Sequence, residues 1–216
     1  MLRLPAHKRA RSRGFSMLEV VVALAILTVG VMAAAALTAK MLATGHQSKY
    51  MSLASTLATE KLEDLNRYSP NDPQVCVPLA NTSVGSLGQD IGPVSTTCPP
   101  PGYTSNVAYY DNVSISYNVS SSPCPNPTAG CFSETVSGLS GGNPVYTTTY
   151  HSPDGQIVPT TSSTAPTNVT FHRRWIIEAN NPATVVTGTR RVTVLVTLMD
   201  TTVQPPVNFQ MSLVRP

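Results

Sequence analysis

The sequence predicts an α+β protein in which a long N-terminal helix, membrane-spanning in its first half, packs on a C-terminal antiparallel β-sheet domain. Residues 20–39 are almost wholly apolar, and residues 40–68 continue without a proline and with apolar side chains at helical spacing. Short stretches of alternating apolar and polar residues then occupy the second half of the chain. With 216 residues the chain has room for one domain of ordinary size and an appendage.

The positive charge of the chain is concentrated at its N-terminus. The first fourteen residues carry five lysines and arginines and no acid, whereas the formal net charge of the whole chain is only +3. The remainder is slightly acidic, so the overall basicity does not indicate a body that binds nucleic acid. A basic flank before an apolar run predicts a cytoplasmic N-terminus and a body on the outer side of the inner membrane.

The apolar run is long enough to cross a bilayer. At 1.5 Å per residue, residues 20–39 span roughly 30 Å, which is the hydrocarbon thickness of a membrane. An ordinary secretory signal would be cut after the run, and residues 33–36 could serve as such a site. A separate alternative is a signal-anchored exported domain with a binding or enzymatic activity. The length of the run and the helical pattern beyond it favour a retained helix.

The second half of the helix is predicted to be amphipathic. Its expected buried face is formed by Tyr50, Leu53, Ala54, Leu57, Lys61, Leu62 and Leu65. Ser69-Pro70 stops the helix because the residue before a proline avoids the helical conformation. The whole helix from about Ser16 to about Tyr68 would be roughly 80 Å long.

The stretch "RGFSMLE" and the apolar run after it resemble the signal of type IV prepilins. In that family a membrane-embedded prepilin peptidase cuts after the glycine and methylates the new N-terminal amine. The resemblance implies a cut between Gly14 and Phe15, with Phe15 as the N-methylated residue. Because the cut precedes the apolar run, the mature protein would keep its helix. The implied fold is pilin-like, and the implied role is structural, not enzymatic.

Within that family the chain looks most similar to minor pilins of the pilus modification, or PilV, type. The resemblance implies a structural subunit that takes part in type IV pilus assembly, first in the inner membrane and then in the fibre at the cell surface. Its implied partners are the prepilin peptidase and other pilins and minor pilins, which it would contact through the N-terminal helix. The alternative is a pseudopilin of type II secretion, which shares the signal but serves a different machine.

Glu19 lies at the start of the apolar run and is the candidate assembly carboxylate. A charge in the hydrocarbon costs roughly 2.5–3.5 kcal/mol on insertion scales, so such an acid is a functional candidate. One interpretation is that Glu19 is simply hydrated near the interface. The family resemblance implies instead that it pairs with the N-terminal amine of a neighbouring subunit. Pairing with the amine of its own Phe15, four residues away on the same helix face, is also possible.

These observations divide the chain into four parts. Residues 1–14 form a cleaved basic leader, 15–39 a transmembrane or fibre-core helix, 40–69 its amphipathic continuation, and 70–216 a loop-rich antiparallel β domain. Residues 70–105 are predicted to be mostly loop because they are rich in Pro, Gly, Ser and Thr. Strands are predicted at 112–119, 145–150, 169–179, 190–199 and 207–214, with the third and fourth forming a hairpin.

All four cysteines follow the apolar run, and an even count in an exported chain favours disulfides. The simplest pairing joins Cys76 to Cys98 and Cys124 to Cys131, but three connectivities are open. The cysteine spacing does not fit a zinc site, and the histidines show no metal-ligand spacing. We therefore expect no metal and no cofactor.

Other chemical signals in the sequence are weak. Ser140 lies in a G-x-S-x-G pattern, but a nucleophile elbow needs a strand before the serine and a helix after it, and Ser140 is expected in a loop. His172 is interpreted as a surface residue of a strand. The pairs Arg173/Arg174 and Arg190/Arg191 could form a DNA-binding patch across the hairpin, although a solvated strand edge is the favoured interpretation.

Overall fold

The computed structural model describes residues 16–78, 81–98, 103–115, 132–140, 143–151, 157–167, 169–179 and 189–215. The chain divides into two compact units, Met1–Gly45 and His46–Pro216. Helix α1 (Met17–Arg67) contributes to both units. An antiparallel sheet follows in the second unit, which confirms the predicted α+β class with a pilin-like order of elements.

Helix α1 is 51 residues long and begins and ends near the predicted positions. Its first turn opens after Ser16, whose carbonyl accepts a hydrogen bond from the backbone N–H of Val20 at 3.2 Å. Its last residues precede Ser69-Pro70, where a helical backbone is disfavoured. Its final carbonyls are bound by Arg215, whose guanidinium donates to the carbonyls of Leu65 at 3.0 Å and of Tyr68 at 2.8 Å.

Ten strands follow in the described part of the chain, and all their pairings are antiparallel. The main sheet runs in the order β10-β9-β8-β4-β5-β6-β7, with β1 also paired to β8, and β2 and β3 form a separate hairpin. The strands are β1 Ser83–Gly85, β2 Val94–Cys98, β3 Tyr103–Val107, β4 Tyr110–Ile115, β5 Phe132–Ser140, β6 Asn143–His151, β7 Ile157–Ser162, β8 Phe171–Ala179, β9 Arg190–Leu198 and β10 Asn208–Arg215.

The predicted hairpin is confirmed as β8 and β9, in which Trp175 lies opposite Val194. Most of the described residues in 70–105 lie outside strands, as predicted, but β1, β2 and the start of β3 in this range were not predicted. Strands β5 and β7 were also not predicted. In β5 the alternation is present, but the inward positions carry the hydroxyl residues Ser133, Thr135 and Ser137, which are buried. Apolar periodicity cannot identify a strand whose buried face is built from small polar side chains.

The core of the second unit lies between the 46–67 part of α1 and one face of the sheet. Five of the seven residues of the predicted helix face are buried, and Tyr50 and Leu53 are partly buried. On the sheet side Val192, Val194, Val196 and Leu198 of β9 are all buried, as are alternate residues of β8. The buried members of the core are Ala54, Leu57, Ala58, Leu62, Leu65, Val75, Val107, Tyr109, Val113, Phe171, Trp175, Ile177, Val192, Val194, Val196, Leu198 and Val207.

Candidate functional site

The candidate site is the start of α1, where Glu19 lies in the first helical turn and is exposed. Gly14 and Phe15 lie outside the described residues. The cut between them, the methylation of Phe15 and the pairing of Glu19 with an amine therefore stay predictions. What the structure does define is the helix on which Glu19 is placed.

The first unit exposes an apolar helix surface along its described length. Every residue from 16 to 46 is exposed, including Leu18 at 73%, Ile26 at 69% and Met32 at 73%. Among the described residues, α1 is the one helix that is long and apolar enough to cross a membrane. Apolar surface of this extent is unfavourable in water, which is consistent with lipid or the helices of other proteins as its surroundings.

The polar groups inside this apolar part are satisfied by the helix itself. The hydroxyl of Thr28 donates to the carbonyl of Ala25 at 2.8 Å, and the hydroxyl of Thr38 donates to the carbonyl of Ala34 at 2.9 Å. Within the described residues 16–39, Glu19 is then the only charged side chain. A single carboxylate at the mouth of an otherwise satisfied apolar helix requires a cation or water from outside that helix.

One comparison with known proteins found a match, at the start of the chain. A family model for the prokaryotic N-terminal methylation motif matches residues 9–35, which include Gly14, Phe15 and Glu19. The chain is type IV prepilin-like. No curated protein and no solved structure matches it.

The methylation motif implies that this prepilin-like chain is processed by a prepilin peptidase and associates with pilins. Proteins with this motif are structural and not enzymatic as a class. The exposed apolar helix of the prepilin-like chain is consistent with anchoring in a membrane and with a place in a pilus.

Ser140 does not lie in a nucleophile elbow. It is the last residue of β5 and pairs with Asn143, the first residue of β6, so a second strand follows the serine where a hydrolase would need a helix. The expectation that Ser140 lies in a loop is wrong, because residues 138–140 belong to β5, and residues 141 and 142 lie outside the described residues. The G-x-S-x-G pattern therefore gives no support to a hydrolase activity of this prepilin-like chain.

The prediction that His172 is a surface residue is wrong, because His172 is 7% exposed. Its Nδ1 lies 2.6 Å from the amide oxygen of Asn112, and its Nε2 lies 2.8 Å from Oδ1 of Asp90. Arg174 also donates to that carboxylate oxygen at 2.7 Å. These contacts hold the segment between β1 and β4 against strand β8. The alternation of the strand put His172 on the outer face, but that face is covered by a segment whose position the sequence does not indicate.

The basic patch considered across the hairpin does not form. The register places Arg174 opposite Leu195 and Arg190 opposite Ala179, so the two arginine pairs lie at different ends of β8 and β9. Arg173 is buried, Arg191 pairs with Glu178 at 2.8 Å, and Arg190 donates to the carbonyl of Pro70. The hairpin therefore offers no cluster of four arginines to DNA.

A buried charge cluster between helix and sheet was missed at the sequence level. Arg173 donates from Nε and Nη2 to the two carboxylate oxygens of Asp111, each at 2.7 Å, and neither side chain is exposed. Arg173 also donates to Glu134 and, at 3.3 Å, to the carbonyl of Leu57 in α1. Lys61 of the helix lies 3.3 Å from Asp111. One feature of the sequence could have indicated this cluster: a basic residue lies within an otherwise apolar face of each element, Arg173 in β8 and Lys61 in α1.

A second group beside this cluster could in principle hold a metal ion. Ligand atoms of Glu60, Glu134 and His151 all lie within 4.8 Å of one another. Burial acts to raise the pKa of Glu134, but His151 and the positive charge of Arg173 outweigh it and hold that pKa at about 2. The contact with Glu134 raises the pKa of His151 against the opposing effect of burial. Arg173 already supplies a cation to Glu134, so we assign these residues to packing of the helix on the sheet.

Cys76 is buried and is disulfide-bonded. Cys124 and Cys131 lie outside the described residues, and the side chain of Cys98 is not described. The pairing of Cys76 with Cys98 and of Cys124 with Cys131 therefore stays a prediction.

Proposed function

We propose that the chain is a minor pilin of the PilV type, a structural subunit that takes part in assembling a type IV pilus. The observation that carries this proposal is the position of the methylation motif. It lies at the head of one unbroken helix whose first part exposes apolar surface and whose last part packs on a sheet. Such a chain can pass its apolar helix from lipid to a bundle of similar helices without refolding its body.

In this proposal Gly14 and Phe15 define the processing site, and Glu19 is the assembly carboxylate. Cleavage after Gly14 converts a neutral amide into the free amine of Phe15, which then carries a methyl group and a positive charge. Glu19 pairs with that cation, on its own chain in the membrane or on a neighbouring subunit in the fibre. Processing thus creates the partner of the only acid in residues 16–39.

The mature N-terminus tests the proposal directly. The full-length chain is produced in a host that makes type IV pili, and its N-terminal peptide is measured by mass spectrometry. N-methylphenylalanine at Phe15 is expected. An intact leader, or a cut after Ala36, would contradict a prepilin, and an intact leader would favour a signal-anchored exported domain.

Substitutions at two separate glycines, Gly14 and Gly30, provide a test of processing and its control. Gly14→Val should block the cut because a branched side chain then occupies the protease groove at the scissile bond. Gly30→Ala replaces another glycine of the same apolar region, at a place where an added Cβ meets nothing within 4 Å. This control should be processed and methylated like the natural chain.

The fibre in which the chain is found separates the pilus from the type II secretion alternative. The processed chain is expected in fibres sheared from the cell surface and purified with the major pilin. Absence from those fibres, together with loss of protein secretion when the gene is deleted, would contradict the minor pilin and support the pseudopilin alternative.

A further inference from the structure

The strand pair β6–β7 at one end of the main sheet has little apolar anchorage. Strand β7 is last in the strand order, and it pairs with β6 from Tyr146 opposite Ser162 to His151 opposite Ile157. No described side chain of these two strands is buried or belongs to the core between helix and sheet. Strands β8 and β9, in contrast, bury apolar side chains in that core. The described side-chain contacts that hold the β6–β7 pair are therefore mainly polar.

His151, at the end of β6, reaches from this strand pair to the helix and to the next strand. Its Nδ1 lies 4.0 Å from Oε1 of Glu60 in α1, and its Nε2 lies 3.6 Å from Oε2 of Glu134 in β5. The sequences of β6 and β7 contain no lysine, arginine, aspartate or glutamate, and His151 is their only histidine. The charge that the pair presents to its neighbours near neutral pH therefore depends on one imidazole.

The charged groups around His151 come from four other elements. They are Glu60 and Lys61 of α1, Asp111 of β4, Glu134 of β5 and Arg173 of β8. Arg173 binds both Asp111 and Glu134, and Lys61 lies 3.3 Å from Asp111. The two permanent cations are thus engaged with Asp111 and Glu134, whereas the imidazole faces Glu60.

Protonation of this group should favour the closed arrangement. Burial raises the pKa of Glu60, and the negative charge of Glu134 adds to this effect. The contact with Glu134 raises the pKa of His151. Because both pKa values lie above the ordinary values of 4.5 and 6.5, the stability these groups contribute is present below those values and is lost as the pH rises through the folded values. At alkaline pH the carboxylates of α1 and β5 face a neutral ring.

We propose that His151 is a pH-dependent clamp, which holds the β6–β7 pair to α1 and β5 at acidic pH and weakens as the ring loses its proton. The β6–β7 pair is the part that moves. Glu60 belongs to a helix that packs in the core, and Glu134 is bound by the buried Arg173. Release is then a local opening at one end of the sheet, with the body still folded. This inference does not depend on the proposed function.

Hydrogen exchange of the full-length chain in detergent, measured by mass spectrometry at about pH 5.5 and about pH 8.5, tests the clamp. A chelator is present throughout, and protection is expressed relative to the intrinsic exchange rate at each pH. We expect the amides of residues 143–151 to be about fivefold less protected at the alkaline pH. Low urea concentrations should leave their exchange unchanged but accelerate that of β9, because a local opening exposes little surface and β9 opens with the body.

Two pairs of variants assign the pH response to the clamp. His151→Gln should give low protection of β6 at both pH values, whereas His46→Gln makes the same change at an exposed histidine and should keep the natural response. Glu60→Gln should raise the protection of β6 at alkaline pH, because it removes the carboxylate that faces the neutral ring. Glu63→Gln is its control, since Glu63 is an exposed acid of the same helix, and should behave like the natural chain.

Each outcome supports or overturns the clamp. Equal protection of β6 at the two pH values overturns it, as does a pH response that persists in His151→Gln. Equal urea dependence of exchange in β6 and β9 would show that β6 opens only with the whole body, which also overturns it. If His151→Gln lost protection throughout the sheet, the glutamate pair would decide, because equal protection of β6 in Glu60→Gln and Glu63→Gln at alkaline pH contradicts the clamp.

Discussion

The two parts of helix α1 are built from one continuous backbone but bury their apolar side chains in different media. Residues 17–45 are exposed throughout, whereas residues 46–67 bury Ala54, Leu57, Ala58, Lys61, Leu62 and Leu65. The first part is apolar on all sides, and the second is apolar on one face. The difference shows that the surroundings of a helix can be predicted from the width of its apolar surface around the helix axis.

Each part also places one charged side chain in apolar surroundings. In the second part Lys61 finds its partners inside the body, where it lies 3.3 Å from Asp111 and 4.5 Å from the centre of the Trp175 ring. In the first part Glu19 has no charged neighbour in described residues 16–39. The body carries its own counter-charge for Lys61, whereas under the proposed function Glu19 acquires its counter-charge by processing or assembly.

The largest effect is expected when the carboxylate of the first part is removed. Glu19→Gln should leave cleavage after Gly14 intact and reduce incorporation into sheared fibres by two or more orders of magnitude. Removing one partner of a buried ion pair costs about 3–5 kcal/mol, since the remaining charge is left uncompensated. Quantitative immunoblotting of the fibre and membrane fractions measures the change.

Glu63→Gln is the matched control, because Glu63 is an exposed acid in the second part of the same helix. It should enter fibres at the natural amount. If Glu19→Gln did so as well, the pairing role of Glu19 would be wrong.

The buried charges of the body should give a similar loss in a different measurement. Arg173→Met leaves the fully buried Asp111 without its guanidinium and should lower the free energy of unfolding by about 3–5 kcal/mol. Urea unfolding of the detergent-solubilised chain can be followed by the fluorescence of Trp175, the single tryptophan. Arg191→Met breaks the more exposed pair with Glu178 and should cost about 1 kcal/mol or less. Equal losses in both variants would contradict the role assigned to Arg173.

Replacing one leucine by alanine in each part of α1 compares how much the two parts contribute to the stability of the body. Leu62 is 6% exposed and packs in the core, so Leu62→Ala should destabilise the body by about 3 kcal/mol. Leu42 is 63% exposed in the first unit, and Leu42→Ala should leave urea unfolding of the body unchanged. A shift of the unfolding midpoint in Leu42→Ala would show that the body draws stability from the first unit.

The smallest expected effect concerns pH. Because the pKa of His151 is raised in the folded protein, its ion pair stabilises the body fully below the ordinary pKa of 6.5. That stability is lost as the pH rises through the higher folded pKa. His151→Gln should therefore remove on the order of 1 kcal/mol at the acidic end of this window and less at its alkaline end. Urea midpoints measured across the window test this, and a pH-independent difference between the two proteins would refute it.

The sequence predicted the elements whose burial follows a simple period. Apolar spacing located the helix face from Ala54 to Leu65, and short stretches rich in β-branched and aromatic residues located β8 and β9. It failed where polar residues are buried in partnership, as with the hydroxyls of β5, the Arg173–Asp111 pair and His172. From the sequence alone these residues are simply polar and are expected to be exposed. They can be buried because the pairing of distant strands brings them their hydrogen-bond and charge partners.

The methylation motif was recognisable because its residues are contiguous in the sequence. The charge cluster between helix and sheet was not, since Leu57, Asp111, Glu134 and Arg173 come from four separate segments. A site whose residues are adjacent in sequence can be predicted from the sequence, whereas a site assembled from distant segments by the fold cannot.

The binding of Arg215 to the end of α1 has a consequence for how the body matures. Leu65 and Arg215 are 150 residues apart, so the carbonyls that close the helix wait for a residue that is made long after the helix. Local contacts can shape the helix early, but its C-terminal end is completed only when β10 has joined the sheet. Completion of that helix end therefore reports that the sheet of the body has been assembled up to its β10 edge.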